Sequence, residues 1–112
     1  MFGSKKITWE EMLSSYINNP RDVKTIPLKK EGVWFYVYVE NNDIYVESAR
    51  NHLANSSSIK NRRKIEKEKV DIMLSLYNRR KKGEKVADEA KRNTQNQVYW
   101  YGIFADMCIW HL

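Results

Sequence analysis

Trp9, Met12, Leu13, Tyr16 and Ile17 recur at i, i+3, i+4, i+7 and i+8, which lines them along one face of a helix. Thr8 stands before this stripe and Glu11 three residues later, the arrangement of a capping box. Asn19-Pro20 ends the segment, because the residue before proline avoids helical backbone. The spacing predicts a helix over 8–18. The period then shortens to two. Lys24 to Lys30 reads as a short strand, at an edge or bulged, since Pro27 cannot donate to a ladder. Val33 to Val39 is a run of β-branched and aromatic residues and predicts a central strand. Glu40-Asn41-Asn42-Asp43 predicts a tight turn, where Asn and Asp accept positive φ. Ile44 to Ser48 returns as a third strand, completing an antiparallel meander. On the central strand Trp34, Tyr36 and Tyr38 point away from Val33, Phe35, Val37 and Val39. The expectation for this aromatic face is burial beneath the C-terminal helices. The other reading is a platform on which bases stack.

After a polar loop over 49–58, a long helix is predicted from Ile59 to about Lys82. Its second half carries Val70, Ile72, Met73, Leu74, Leu76 and Tyr77 on a wide apolar face. Its first half is mostly charged, with Arg62–Glu66 and Lys64–Glu68 at i,i+4 spacing. Gly83 suits the position just past a helix end. A short helix follows over 84–91. Thr94 and Gln97 form a second potential capping box, opening a last helix over 95–109 that is apolar nearly all round and therefore buried on most sides. The predicted class is α+β: an N-terminal helix, a three-stranded antiparallel meander and three C-terminal helices. One domain over 1–112 is expected, with the helix and meander in 8–48 and a basic helical part in 58–112.

Charge adds a direction. Between Lys60 and Arg92 stand 13 Lys/Arg and 6 Asp/Glu, a local excess of +7, whereas the whole chain carries +6. A concentrated excess points to a polyanion, most often nucleic acid; the plainer reading is a solvated helix face. The single cysteine, Cys108, rules out an intrachain disulfide and fits a reducing, cytoplasmic setting. No apolar run approaches the roughly 18 residues of a membrane span, and Glu10 and Glu11 interrupt any signal-peptide core near the start. No membrane partner is expected.

The order long helix, glycine turn, short helix, break, capped helix over 84–104 resembles a helix-turn-helix, whose second helix reads DNA. That resemblance implies base-edge contacts from Gln95, Asn96 and Gln97. It implies phosphate contacts from Arg62, Arg63, Arg79, Arg80, Lys85, Lys91 and Arg92. The turn carries Lys91-Arg92-Asn93 in place of a glycine. The function expected is therefore non-enzymatic binding of nucleic acid, duplex DNA first. The alternative is a protein-interaction module, a small inhibitor or accessory protein of phage or mobile-element type, docking through its aromatic last helix.

Catalytic patterns are thin. His52 and His111 stand apart, no lysine follows the pair Asp43 and Glu47 two residues beyond Glu47, where Ala49 stands, and no Gly-rich phosphate loop occurs. No enzyme activity, metal or cofactor is expected. The density of large apolar residues after Tyr99 predicts a homodimer whose interface includes Trp100, Phe104, Met107 and Trp110. Gly102 within that helix predicts a close backbone approach.

Overall fold

A computed structural model of the chain describes residues 6–110, with side chains as far as Cys108. The architecture is α+β: one N-terminal helix, a four-stranded antiparallel sheet and three C-terminal helices. Helix α1 spans Trp9–Asn18 and carries the full capping box, with Thr8 Oγ1 accepting from the Glu11 amide and the Glu11 carboxylate returning to Thr8. Trp9, Met12 and Tyr16 are its buried face.

Strand β1 is Arg21–Lys24, β2 Trp34–Glu40, β3 Asp43–Ser48 and β4 Arg63–Lys64, in that spatial order. The β2–β3 turn uses Asn41 and Asn42 at φ 52° and 66°, the two positive-φ residues a two-residue hairpin needs. The first strand differs from the expectation. Pairing begins directly after Pro20, with Val23 opposite Phe35. The predicted stretch through Pro27 and Leu28 is a loop instead, closed by the Thr25 amide donating to the Val33 carbonyl. Gly32 packs so closely there that a Cβ would lie 2.0 Å from the Thr25 carbonyl oxygen.

The larger correction concerns the predicted helix 59–82. Only Val70–Lys81 is helical, as α2, preceded by a 3-10 turn over Lys67–Lys69. Arg63–Lys64 instead pairs with Val46 and Tyr45 as β4. The stretch Lys60 to Lys69 holds one large apolar residue, Ile65, too few for a helical stripe. Extended backbone lets Ile65 reach the core, where it is fully buried, and lets its amide donate to Ile44. It also covers part of the β3 edge, which would otherwise be open to unwanted pairing. The helical i,i+4 pairs are replaced by strand-borne ones, Arg62–Glu40 at 2.7 Å and Lys64–Asp43 at 3.4 Å.

Helix α2 ends at Gly83, which sits at φ +93° as a residue past a helix end should. Helix α3 is Ala87–Asn93 and α4 is Gln97–Trp110. The second capping box does not form. Helix α4 starts two residues late, and Thr94 Oγ1 accepts from the Asn96 amide while donating to Glu66.

The inner sheet face, built from Val23, Phe35, Val37, Ile44 and Val46, is covered by α1 and α4. Gly102 sets the crossing: a Cβ there would lie 2.9 Å from the Lys24 carbonyl and 3.0 Å from the Phe35 ring. The close approach the glycine predicts is thus within the chain. Trp100, Phe104 and Met107, expected at a dimer interface, are fully buried in the same core of the single chain. Among the described residues, Tyr99, Tyr101 and Ile103 of the same segment are buried within the chain as well. Trp110, the fourth residue expected at that interface, has its side chain outside the described residues, as does His111.

Candidate nucleic-acid interface

The outer sheet face is where the structure departs most usefully from expectation. Trp34, Tyr36 and Tyr38 alternate outward on β2, and register places Tyr45 of β3 opposite Tyr38. All four are half-buried, not covered by helices. Tyr36 and Tyr38 lie 5.7 Å apart between ring centroids, and Tyr38 and Tyr45 5.8 Å, with planes inclined by 28° and 25°. The result is a row of nearly parallel phenol rings across two strands.

Cations flank the row. The Arg62 guanidinium lies 4.0 Å from the Tyr45 ring centroid and Arg50 4.4 Å from that of Tyr36, while the Lys24 ammonium stands 5.8 Å from Trp34. Arg62 also donates to Tyr38 and Glu40, and Arg50 to Glu47. These bonds, with the Tyr38 hydroxyl first for Arg62, push both guanidinium pKa values above their ordinary range.

Asp22 holds Arg50 in place. Its carboxylate accepts from the backbone amides of Arg50, Asn51 and His52 and bonds His52 Nδ1, all at 2.8–2.9 Å. This clasp pins the loop after β3, so that the His52 ring stacks on Trp34 at 3.6 Å and 8°. Burial alone would raise the Asp22 pKa, but the amide and His52 bonds outweigh it and hold the carboxyl below its ordinary 3.8.

A second carboxylate locks the C-terminal helices. Glu66 accepts from Thr94 Oγ1, from Asn96 Nδ2 at 3.1 Å and from Trp100 Nε1 at 3.2 Å. Here too burial raises the pKa and the bonds, Thr94 first, overcome it, leaving the group below its ordinary 4.5. Both carboxylates have folded pKa values lowered from those of the unfolded chain. Their stabilisation is therefore complete above the ordinary values and lost as pH falls through the depressed ones. The urea midpoint should accordingly drop between neutral pH and about pH 3, and the double variant Asp22→Asn, Glu66→Gln should lose much of that dependence, while being less stable at neutral pH.

The residues assigned to DNA contact do not converge. Asn96 is buried, with its amide spent on Glu66 and the Lys64 carbonyl, so it cannot present an edge to a base. Gln95 is exposed, and Gln97 is half-buried, with an Oε1 atom that has no partner among the described residues. Arg63 turns toward Asn96 and the Tyr99 ring. Arg79 is held by Glu84 and Glu89. Arg80 donates to the Ile26 carbonyl and covers Tyr101. Lys85, Lys91 and Arg92 are exposed near the α3 helix. Arg62 alone of the ten stands on the aromatic face. Lys24, Tyr45, Arg50 and His52 were not foreseen as members of it; the signal that could have found Tyr45 is its register opposite Tyr38.

Comparison with known proteins returns no match, whether to family models, to curated proteins or to solved structures. Among the described residues no helix is long and apolar enough to cross a membrane.

Proposed function

We propose that the protein binds single-stranded nucleic acid on the outer sheet face, by occupancy and without chemistry. The observation that carries this reading is the half-buried row Tyr36, Tyr38 and Tyr45, overlaid by the exposed side chains of Arg50 and Arg62. A base stacked on an aromatic side chain is worth about 1–3 kcal/mol. A guanidinium–ring contact and an ion pair at an exposed site are both weak, screened interactions. A stacked base can therefore displace them, and the released Arg50 and Arg62 become free to meet phosphates. The Asp22–His52 pair serves as a loop clasp in this reading, since His52 is stacked on Trp34. A protein with one thiol, Cys108, that meets nucleic acid belongs in the cytoplasm.

The face itself is balanced: Lys24, Arg50, Arg62 and Lys64 are paired with Glu31, Glu47, Glu40 and Asp43. Affinity should rest on stacking more than on phosphate neutralisation. A fluorescein-labelled oligothymidine of about fifteen residues, within the span one such platform covers, should bind more tightly than the same length of duplex. Its affinity should fall less than about tenfold between 50 and 200 mM salt, as for one or two neutralised phosphates. Tighter binding of duplex, or no binding of the single strand, overturns the proposal.

A further inference from the structure

Away from the aromatic face, the loop after β1 and the three C-terminal helices enclose a groove of about 950 Å³. Its walls are largely aliphatic. Leu28 is 78% exposed and Val98 48%, beside Pro27, Ala87 and the buried Val86 and Ala90. A second hollow of about 180 Å³ adjoins it and shares Pro27, Lys30, Arg80, Val98 and Tyr101. Five cations line the main groove, Lys29, Lys30, Arg80, Lys85 and Lys91, against Glu84 and Asp88. Arg79 already pairs with Glu84, and none of the four lysines has an ion-pair partner among the described residues. Part of the excess charge that the sequence concentrates after Lys60 therefore rings an apolar trough, not a stacking surface.

Two polar atoms at this groove are left over. Gln97 Oε1 and the Tyr101 hydroxyl are closed off from solvent and have no hydrogen-bond partner among the described residues, and Tyr101 is only 7% exposed. Both residues line the groove. A buried polar atom without a partner is costly, so a group that bonds it on entry gains binding energy. Gln97 Oε1 needs a donor. A phosphodiester or the hydrocarbon of an acyl chain offers none; a peptide amide does, and the neighbouring peptide carbonyl can accept from Tyr101. Because both atoms are closed off from solvent, the Gln97 and Tyr101 side chains shift toward the groove in this exchange.

We infer that the groove is a docking site for an acidic protein segment bearing apolar side chains. The apolar side chains fill the trough over Leu28 and Val98, the carboxylates meet Lys29, Lys30, Lys85 and Lys91, and backbone amides pair with Gln97 and Tyr101. The site is separate from the aromatic face, so the protein can hold nucleic acid and a protein partner at once.

The probe is a labelled pool of peptides about eight residues long, roughly 27 Å extended, close to the shortest dimension of the molecule, 26 Å. Each alternates Asp or Glu with Leu or Phe, and a control pool carries Lys at every acidic position. The acidic pool should bind at least tenfold more tightly than the basic one. Leu28→Asp should weaken it at least tenfold, and Lys85→Glu combined with Lys91→Glu should abolish the preference for acidic peptides. Leu28, Lys85 and Lys91 all lie on the surface, and circular dichroism checks that each variant folds. Oligothymidine binding should be unchanged in every variant, which separates this site from the aromatic face. Absent binding, equal binding of the two pools, or insensitivity to both variants overturns the inference. Displacement of the peptides by laurate at lower concentration than by unlabelled peptide also overturns it, in favour of an acyl-chain site.

Discussion

Asp106→Ala is expected to lose about 3–5 kcal/mol of folding stability, the range for removing one partner of a buried ion pair. Asp106 of α4 accepts from the Tyr16 hydroxyl of α1 at 2.8 Å and from Arg21 of β1 at 3.0 and 2.6 Å. The side chains of Arg21 and Asp106 are only 12% and 15% exposed. The carboxylate thus joins the first helix, the first strand and the last helix. Without it, the guanidinium beside the buried phenol loses the Asp106 charge while keeping its bonds to Ser15 and Asn19. Burial, and then the nearby Asp106 charge, push the Tyr16 pKa well above its ordinary value, so the phenol stays a neutral donor across the accessible range. A graded series checks the cause. Tyr16→Phe should cost about 1.5 kcal/mol, one hydrogen bond to a charged acceptor at the low end. Asp106→Asn should fall between the two. Urea midpoints measured at unchanged m values give the comparison. Equal stability of Asp106→Ala and the wild type would mean that the pair contributes nothing net.

Replacing Tyr36 and Tyr38 together by alanine should weaken oligothymidine binding by at least about thirtyfold, taking stacking at its low end of about 1 kcal/mol per base. The same change should leave the fold in place. Both rings point outward from the sheet, and cross-strand pairs of this kind contribute about 0.2–1 kcal/mol each. Thermal unfolding should therefore remain cooperative while binding collapses. Arg62→Gln is a useful companion, because it removes a cation and keeps a polar side chain: its effect on affinity should be severalfold, well below that of the tyrosines. Matching losses would assign the affinity to charge and not to stacking.

Several elements could be read directly from the order of residues. Helix α1 carries five apolar residues at helical spacing behind a capping box, and the β2–β3 hairpin pairs long alternating runs across Asn41-Asn42. Helix α4 is apolar nearly all round, and its burial followed. The misplaced strands lacked such periodicity. In β1, Val23 is the one large apolar residue of four. In β4, two charged residues pair through their backbones and both are exposed, so no local side-chain pattern could announce the strand. The charge-rich segment around Arg62 looked helical because i,i+4 pairs exist in any dense mixture of Lys, Arg and Glu.

The candidate site was half legible. The outward alternation of Trp34, Tyr36 and Tyr38 was visible, but whether that face is covered depends on where the C-terminal helices land. They land on the other face because Gly102 lets α4 approach the Lys24 carbonyl and the Phe35 ring. The positions of Arg50 and His52 depend on bonds from Asp22, 28 to 30 residues earlier in the chain. Contacts of that range leave no local pattern. Asn96 shows the reverse failure: its place in a polar trio suggested a base-reading helix start, yet Glu66 and the Lys64 carbonyl consume its amide.

Backbone amide shifts of isotopically labelled protein, followed while oligothymidine is added, test the binding face most directly. Shifts should concentrate on Trp34 to Glu40, Asp43 to Ser48 and the clasped loop from Arg50 to His52, with Lys85 to Val98 left nearly still. Shifts confined to Lys85–Val98, with the tyrosine strands unmoved, would contradict the proposed interface and return the nucleic-acid contact to the C-terminal helices.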